Sequence, residues 1–232
     1  MFEGFELFPK FDWKWSFAFE ILPRLLWATL NTLLAAGTGY AIALIIGLLF
    51  ALAQRTGIRA ITLIVREIVE FIRSTPLVVQ IFFIFYVGPQ FGIRLSPWTS
   101  GMIAIGLHYA AYLSEVYRAG LESVPRGQWE ACKALNLSMT RTYFRVIIPQ
   151  ALPPALPGMG NYLVGIFKDT PMLMVIGVTE LMHAATALGS TYYRYLEPYT
   201  MVGILFLLIS LPTAFGLRRF ESFVAKALGM RK

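Results

Sequence analysis

YLSEVYRAGLESVPRGQWEACKALNLSMTRTYFRVIIP, residues 112–149, sets five basic and three acidic side chains between long apolar runs. The flanking sequence reads as membrane, so this insert is where the chain leaves it. Within it, Gln128 to Leu135 predicts one short helix. Pro125 and Gly127 punctuate its start, Glu130 falls in the first turn where the helix dipole favours an acid, and Asn136 follows the last turn. Asparagine tolerates the left-handed region better than most residues, so a sharp turn is expected there. Ser138 or Thr140 then caps a second helix through Tyr143 and Val146, until Pro149 resets the backbone. The expectation is a helix-turn-helix elbow, residues 122–149, held outside the bilayer.

The 232 residues are 57% hydrophobic and 14% charged, with a mean hydropathy of +0.63, which excludes an ordinary soluble domain. Cys132 is the only cysteine, so no disulfide framework forms within the chain. The net charge of +7 lies between apolar runs, a pattern that fits membrane topology and leaves no basic soluble surface for nucleic acid.

Residues 1–24 mix charge with aromatics and are expected to form an interfacial segment, since Trp and Phe favour the headgroup level. A transmembrane domain, 25–217, follows. Its first span is Leu25 to Ala53, 29 residues without a charge. Small residues within it, at Ala35, Ala36, Gly37, Gly39, Ala43 and Gly47, allow a second helix to approach closely. Gln54 to Arg73 is read as a polar turn opening an amphipathic helix, with Arg66 and Glu70 positioned to pair at i, i+4. Ser74 to Ile93 and Leu95 to Ser114 are the second and third spans, each 20 uncharged residues, and Pro76 near the beginning of the second is expected to bend it or mark its first turn. His108, in the third, either lines a path or bonds a neighbouring helix. Val146 to Phe167 opens the fourth span, where Pro149, Pro153, Pro154 and Pro157 predict a late start and an early bend. Lys168-Asp169-Thr170-Pro171 follows, and apolar sequence continues through Val178. Charges at such depth face protein or a water-filled cavity. Glu180 to Glu197 is read as a loop, Pro198 to Leu217 as the fifth span, and 218–232 as a basic cytoplasmic tail.

With Gln54 to Arg73, the elbow and the tail on one side, that side holds fourteen basic and six acidic residues. The other holds six and seven. The positive-inside rule then predicts an all-α integral membrane protein of five transmembrane helices, N-terminus outside and C-terminus inside.

Glu130-Ala131-Cys132, Asn136, Val146, Ile148 and Pro149 resemble the E-A-A, G, I-x-L-P loop of ABC importer permeases. Cys132 stands where the motif has its second alanine, and Asn136 where it has glycine. Tyr112, Glu115, Arg118, Gly120, Ser123-Val124-Pro125, Gly127-Gln128 and Ala134-Leu135 resemble the polar amino acid branch of that family. So do Phe71-Ile72-Arg73-Ser74-Thr75-Pro76-Leu77 and Lys168-Asp169-Thr170. Glu20 to Leu26 and Phe71 to Phe85 are similar to permeases for ectoine or hydroxyectoine, cyclic zwitterions imported by members of that branch.

The resemblance implies a cytoplasmic coupling helix of the EAA type that seats in a partner ATPase, with Arg126, Gly127, Glu130, Ala131, Asn136 and Leu137 transmitting force. It implies an ABC ATPase dimer that holds ATP and magnesium, a second, related permease subunit, an extracytoplasmic solute-binding protein, and a bacterial cytoplasmic (inner) membrane location. This chain carries no P-loop, no metal-ligating cluster and no nucleophilic elbow, so neither enzymatic activity nor a cofactor of its own is expected. For the solute path, Lys168, Asp169 and Thr170 come first, because a zwitterion needs one group for its carboxylate and another for its cation. Lys168 and Asp169 equally suit a structural or gating pair. Ser74, Thr75, Gln80 and Glu115 are the next polar groups near span ends. An ATP-independent secondary transporter or channel is the other reading, although such transporters commonly show repeated halves and none is visible here.

Overall fold

A computed structural model describes residues 12–227, and every described element is helical. Helix α1, Trp15–Ala53, carries a buried stripe through Leu25, Ala28, Ala35, Gly39, Ala43, Gly47 and Ala51, most of them three or four apart. That spacing keeps one face turned to a partner. The partner is α4, Pro97–Glu122, and small side chains bring the two backbones together. A Cβ placed on Gly47 would stand 2.9 Å from the Ala110 carbonyl oxygen, whereas one on Gly37 meets nothing within 4 Å. Gly47→Leu is therefore expected to lower stability by about 1–3 kcal/mol, since backbone cannot step aside as a side-chain tip can. Gly37→Leu should leave it unchanged. Melting of the two detergent-solubilised variants checks the pair.

Residues 15–24 form the opening turns of α1, and residues 1–11 of the expected interfacial segment lie outside the described residues. Helix α2, Arg59–Ser74, is complete where a polar turn and a helix start were expected, and Glu70 pairs with Arg73 at 3.6 Å, not with Arg66. The second span is not one helix. Pro76 forces Thr75 into extended backbone (φ −109°, ψ 141°), and the chain turns 108° into α3, Leu77–Phe82. A π-helical turn (Phe83–Val87) and a 3-10 turn (Gly88–Phe91) complete it, ending at left-handed Gly92.

Ser96 caps α4, its Oγ accepting from Thr99 N at 3.1 Å, and Pro97 occupies the first turn. The helix does not stop at Ser114. It continues to Glu122 and brings the third span directly to the elbow, helices α5 (Arg126–Ala134) and α6 (Met139–Arg141). A π-helical segment, Thr142–Ile147, then leads into α7, Ile148–Asp169. Pro149 sits in the first turn of α7 and does not reset the backbone. Pro153, Pro154 and Pro157 lie inside the same helix, so the expected late start is not observed. Proline is tolerated in such segments because neighbouring groups and local changes of pitch re-satisfy the freed carbonyls.

Thr170–Ile176 is a 3-10 turn ended by left-handed Gly177. The expected loop after it holds helix α8, Leu181–Tyr192, capped by buried Glu180, whose carboxylate accepts from the backbone of Met182 and His183. Helix α1 grips this corner through Asn31 Nδ2 donating to Thr179 O and Thr32 Oγ1 accepting from Leu181 N. Helix α9, Leu196–Ala227, runs through the expected fifth span and into the tail as far as Ala227. Arg194 ties the corner before α9 to the start of the described chain, donating to Glu197 and Asp12. Hydrogen bonds to Glu197 and Asp12 raise its pKa above the ordinary arginine value, so it is charged at any physiological pH.

By length and apolar content α1 and α9 can each cross a membrane, and the two bent pairs, α2 with α3 and the α6–α7 rod with α8, raise the number to four. Leu30, Ile45 and Leu49 on α1 and Leu207, Leu208 and Leu211 on α9 are exposed, as acyl-chain contacts require.

Candidate functional site

Two constellations stand out, one at the elbow and one midway along α4 and α7. At the elbow, Pro125 precedes α5 and accepts from Gln128 N at 2.9 Å. The helix begins at Arg126, two residues earlier than expected, which puts Glu130 beyond the first turn and weakens its interaction with the helix dipole. At the other end Asn136 is left-handed, with φ 47°. Leu137 N donates to Cys132 O and Asn136 N to Lys133 O, each at 3.0 Å, the paired bonds of a Schellman turn. Ser138 caps α6, its Oγ accepting from Arg141 N.

The elbow is braced from behind. Cys132 is buried, and Leu121, Val124, Ile147 and Ala151 form a small core against which Trp129, Tyr143 and Val146 pack. Trp129 meets Tyr143 edge-on at 5.5 Å, and Gln150 Nε2 donates to Gln128 Oε1 at 3.3 Å, linking α5 to α7. Arg126, Gly127, Glu130, Ala131 and Asn136 lie on the outer side of the elbow, and Leu137 is half-buried. Three apolar side chains not singled out from the sequence are also exposed: Leu135 at 72%, Met139 at 68% and Phe144 at 70%. Large apolar groups exposed on an otherwise charged insert mark a contact surface. The position of Leu135 and Met139 beside Asn136 was a usable signal, because the turn throws its flanking side chains outward.

The second constellation is aromatic. His108, Tyr109 and Tyr112 share one face of α4, and Tyr162 of α7 stands 6.0 Å from the Tyr109 ring and 5.5 Å from that of Tyr112. Asp169 lies at one end, its Oδ2 accepting from the Tyr109 hydroxyl at 2.7 Å. At the other end the Arg73 guanidinium stands 5.5 Å from the Tyr112 ring centroid, and the Tyr112 hydroxyl donates to Arg73 O. A carboxylate, four rings and a guanidinium therefore form one continuous group. Gly165 keeps it compact, since a Cβ there would come within 3.1 Å of the Tyr109 hydroxyl.

Of the residues expected on the path, Asp169 belongs to this group and Gln80 bonds to it through His108. Gln80 reaches it indirectly: its Nε2 donates to Ile72 O and Thr75 Oγ1, each at 2.8 Å, while its Oε1 and His108 Nδ1 share a hydrogen bond of 3.2 Å. Gln80 and Thr75 thus brace the bend between α2 and α3 against α4, and His108 has a bonded partner. Thr170 is buried, its hydroxyl donating to Phe167 O. Lys168 is exposed and makes no ion pair with Asp169, because successive helical residues point about 100° apart. Ser74 is exposed at the end of α2. Glu115 pairs with Arg118 about one turn beyond Tyr112, toward the elbow. Sequence reasoning missed Arg73, Tyr109, Tyr112 and Tyr162 as a unit. On α4 the i, i+1, i+4 spacing of His108, Tyr109 and Tyr112 was the available signal.

Residues 43–226 match the family described as binding-protein-dependent transport system inner membrane component. The chain is 42% identical over 196 residues to a probable amino-acid ABC transporter permease protein, y4tG, of Sinorhizobium fredii, covering 84% of this chain and 85% of that one. It is 35% identical to the glutamine transport system permease protein GlnP of Escherichia coli, over 91% of this chain and 97% of the relative. Among solved structures, an amino acid ABC transporter crystallised with histidines matches with a TM-score of 0.84 and 31% identity, over 91% of this chain and 99% of that one.

Proposed function

The chain belongs to the family of binding-protein-dependent inner membrane transport components, and from that premise we propose that it is the permease subunit of an ATP-driven importer for a small zwitterion. The observation that carries this reading is the elbow: a nine-residue helix, fixed at both ends by tight turns and backed by its own core, with its polar face free. A helix so held transmits displacement, whereas a mobile loop absorbs it. In this reading α1, the α3 segment, α4, α7 and α9 cross the inner membrane, the start of the chain lies outside, and the elbow faces the cytoplasm.

The chemistry of ATP belongs to a partner ATPase dimer with its magnesium. Its closing and opening push on α5, and α4 and α7, which lead into and out of the elbow, carry the movement to the aromatic group. A second, related permease subunit completes the path, and an extracytoplasmic binding protein delivers the solute.

The aromatic group carries an acid and a guanidinium, the two charges that recognition of a zwitterion calls for. Asp169 receives the cation, Arg73 the carboxylate, and the rings of Tyr109, Tyr112 and Tyr162 present the negative faces that favour a delocalised positive charge. Ectoine and hydroxyectoine, whose cation is spread over an amidinium within a ring, suit that surface, and polar amino acids share the same pair of charges. The complex reconstituted with its binding protein tests this: ectoine should stimulate ATP hydrolysis at lower concentration than glutamine, glutamate, histidine or arginine. Stimulation by a linear amino acid with none by ectoine moves the assignment to that amino acid. Stimulation by none of these solutes removes the zwitterion assignment altogether.

A further inference from the structure

A polar cavity of about 480 Å³ lies between Gln54 and Arg55, just past the end of α1, the length of α2 and the last turns of α4, which lead to the elbow. It is lined by four arginines and three glutamates, and Arg73 is the one residue it shares with the aromatic group. The acids are already engaged: Arg118 holds Glu115 and Glu122, and Arg73 holds Glu70. Arg55 and Arg66 have no carboxylate partner among the described residues. Gln54, on the same wall, buries an amide Nε2 that has no hydrogen-bond partner. Two unmatched guanidiniums and an unmatched amide donor beside one cavity form a site for an anion with several acceptor oxygens.

The depth of the site in the membrane follows from α2. Ile61, Ile64, Ile68 and Phe71 are exposed along one side of it, while Thr62, Arg66, Val69 and Arg73 line the cavity. A helix so divided lies in the interface with its apolar side among acyl chains, and its 108° turn from α3 suits that attitude. The cavity then opens at headgroup level. Basic pockets between helices on the cytoplasmic side are where anionic headgroups bind.

We propose that this cavity binds a phosphate-bearing anion through Arg55, Arg66 and Gln54, and that the site communicates with the elbow. The link is Arg55, whose guanidinium also stands 5.5 Å from the centroid of Trp129 on α5. A phosphate drawing on Arg55 acts on a residue that braces the coupling helix.

The test uses the complete complex with its partner permease and ATPase. Retention of phosphatidylglycerol is measured by native mass spectrometry, and ATP hydrolysis in phosphatidylcholine vesicles with and without phosphatidylglycerol, or with inorganic phosphate in its place. Each lost arginine contact should weaken retention roughly fivefold, so Arg66→Gln is expected to lose about that factor and Arg55→Gln with Arg66→Gln about twenty-five-fold. Arg59→Gln, on α2 but outside the cavity, should lose neither retention nor stimulation. Activation by phosphatidylglycerol alone identifies a lipid headgroup, and activation by inorganic phosphate alone a soluble ligand. Equal losses in Arg59→Gln and Arg66→Gln, or full retention and activation in the double variant, overturn the proposal.

Discussion

Glu130→Arg is expected to leave the chain folded in the membrane while lowering solute-stimulated ATP hydrolysis and uptake about a hundredfold. Glu130 is exposed on a helix whose packing depends on Cys132, Trp129 and the core behind them, so the substitution disturbs nothing inward. Outward, it reverses the charge at the middle of the proposed docking face. Losing one central contact of an interface costs about 2–4 kcal/mol, and placing like charges together costs several more, which sets the hundredfold as a conservative figure. Copurification of the ATPase separates the two routes to this loss. A complex that still assembles points to failed transmission, and one that falls apart to failed docking. A variant with normal stimulated activity would remove Glu130 from the coupling face.

The second large effect belongs to Asp169. Asp169→Asn keeps the shape of the side chain and an oxygen to accept from the Tyr109 hydroxyl, but discards the charge that the proposed solute site offers to a cation. Removing one partner of a desolvated charge pair costs about 2–5 kcal/mol, so uptake should fall about thirtyfold or more while the melting temperature barely moves. Lys168→Gln should change uptake less than about twofold, since Lys168 is exposed and unpaired with Asp169. Equal losses in the two variants would restore the adjacent pair as the functional unit and set aside the aromatic group.

That contrast shows which features a one-dimensional reading reaches. The elbow was legible because its determinants are local: Pro125 opens it, Asn136 turns it and Ser138 caps the next helix, each within a few residues of its effect. The small-residue stripe of α1 was legible for the same reason, being a matter of period. Span limits were less so. The bend near the start of the second span was marked by Pro76, which holds Thr75 in extended backbone, but its size, 108°, was not. The charges from Glu115 onward set the end of the third span at Ser114, while helical continuity and the Arg118 pairs carried α4 through to Glu122.

Of the aromatic group, the sequence marked Asp169 and His108, but not their meeting with Arg73, Tyr112 and Tyr162. Asp169 and Tyr109 are sixty residues apart, and Arg73, Tyr112 and Tyr162 arrive on three different helices. No local spacing reports such a meeting. Lys168 drew attention as Asp169's neighbour in sequence, and helical rotation separates the two.

The most direct test of the coupling claim is solute uptake and ATP hydrolysis measured together in proteoliposomes holding this chain, its partner permease and its ATPase. Uptake is predicted to require ATP and the binding protein, and to stop with hydrolysis in Glu130→Arg. Uptake that continues down a solute or ion gradient in vesicles lacking the ATPase would contradict the account and make the chain a secondary transporter.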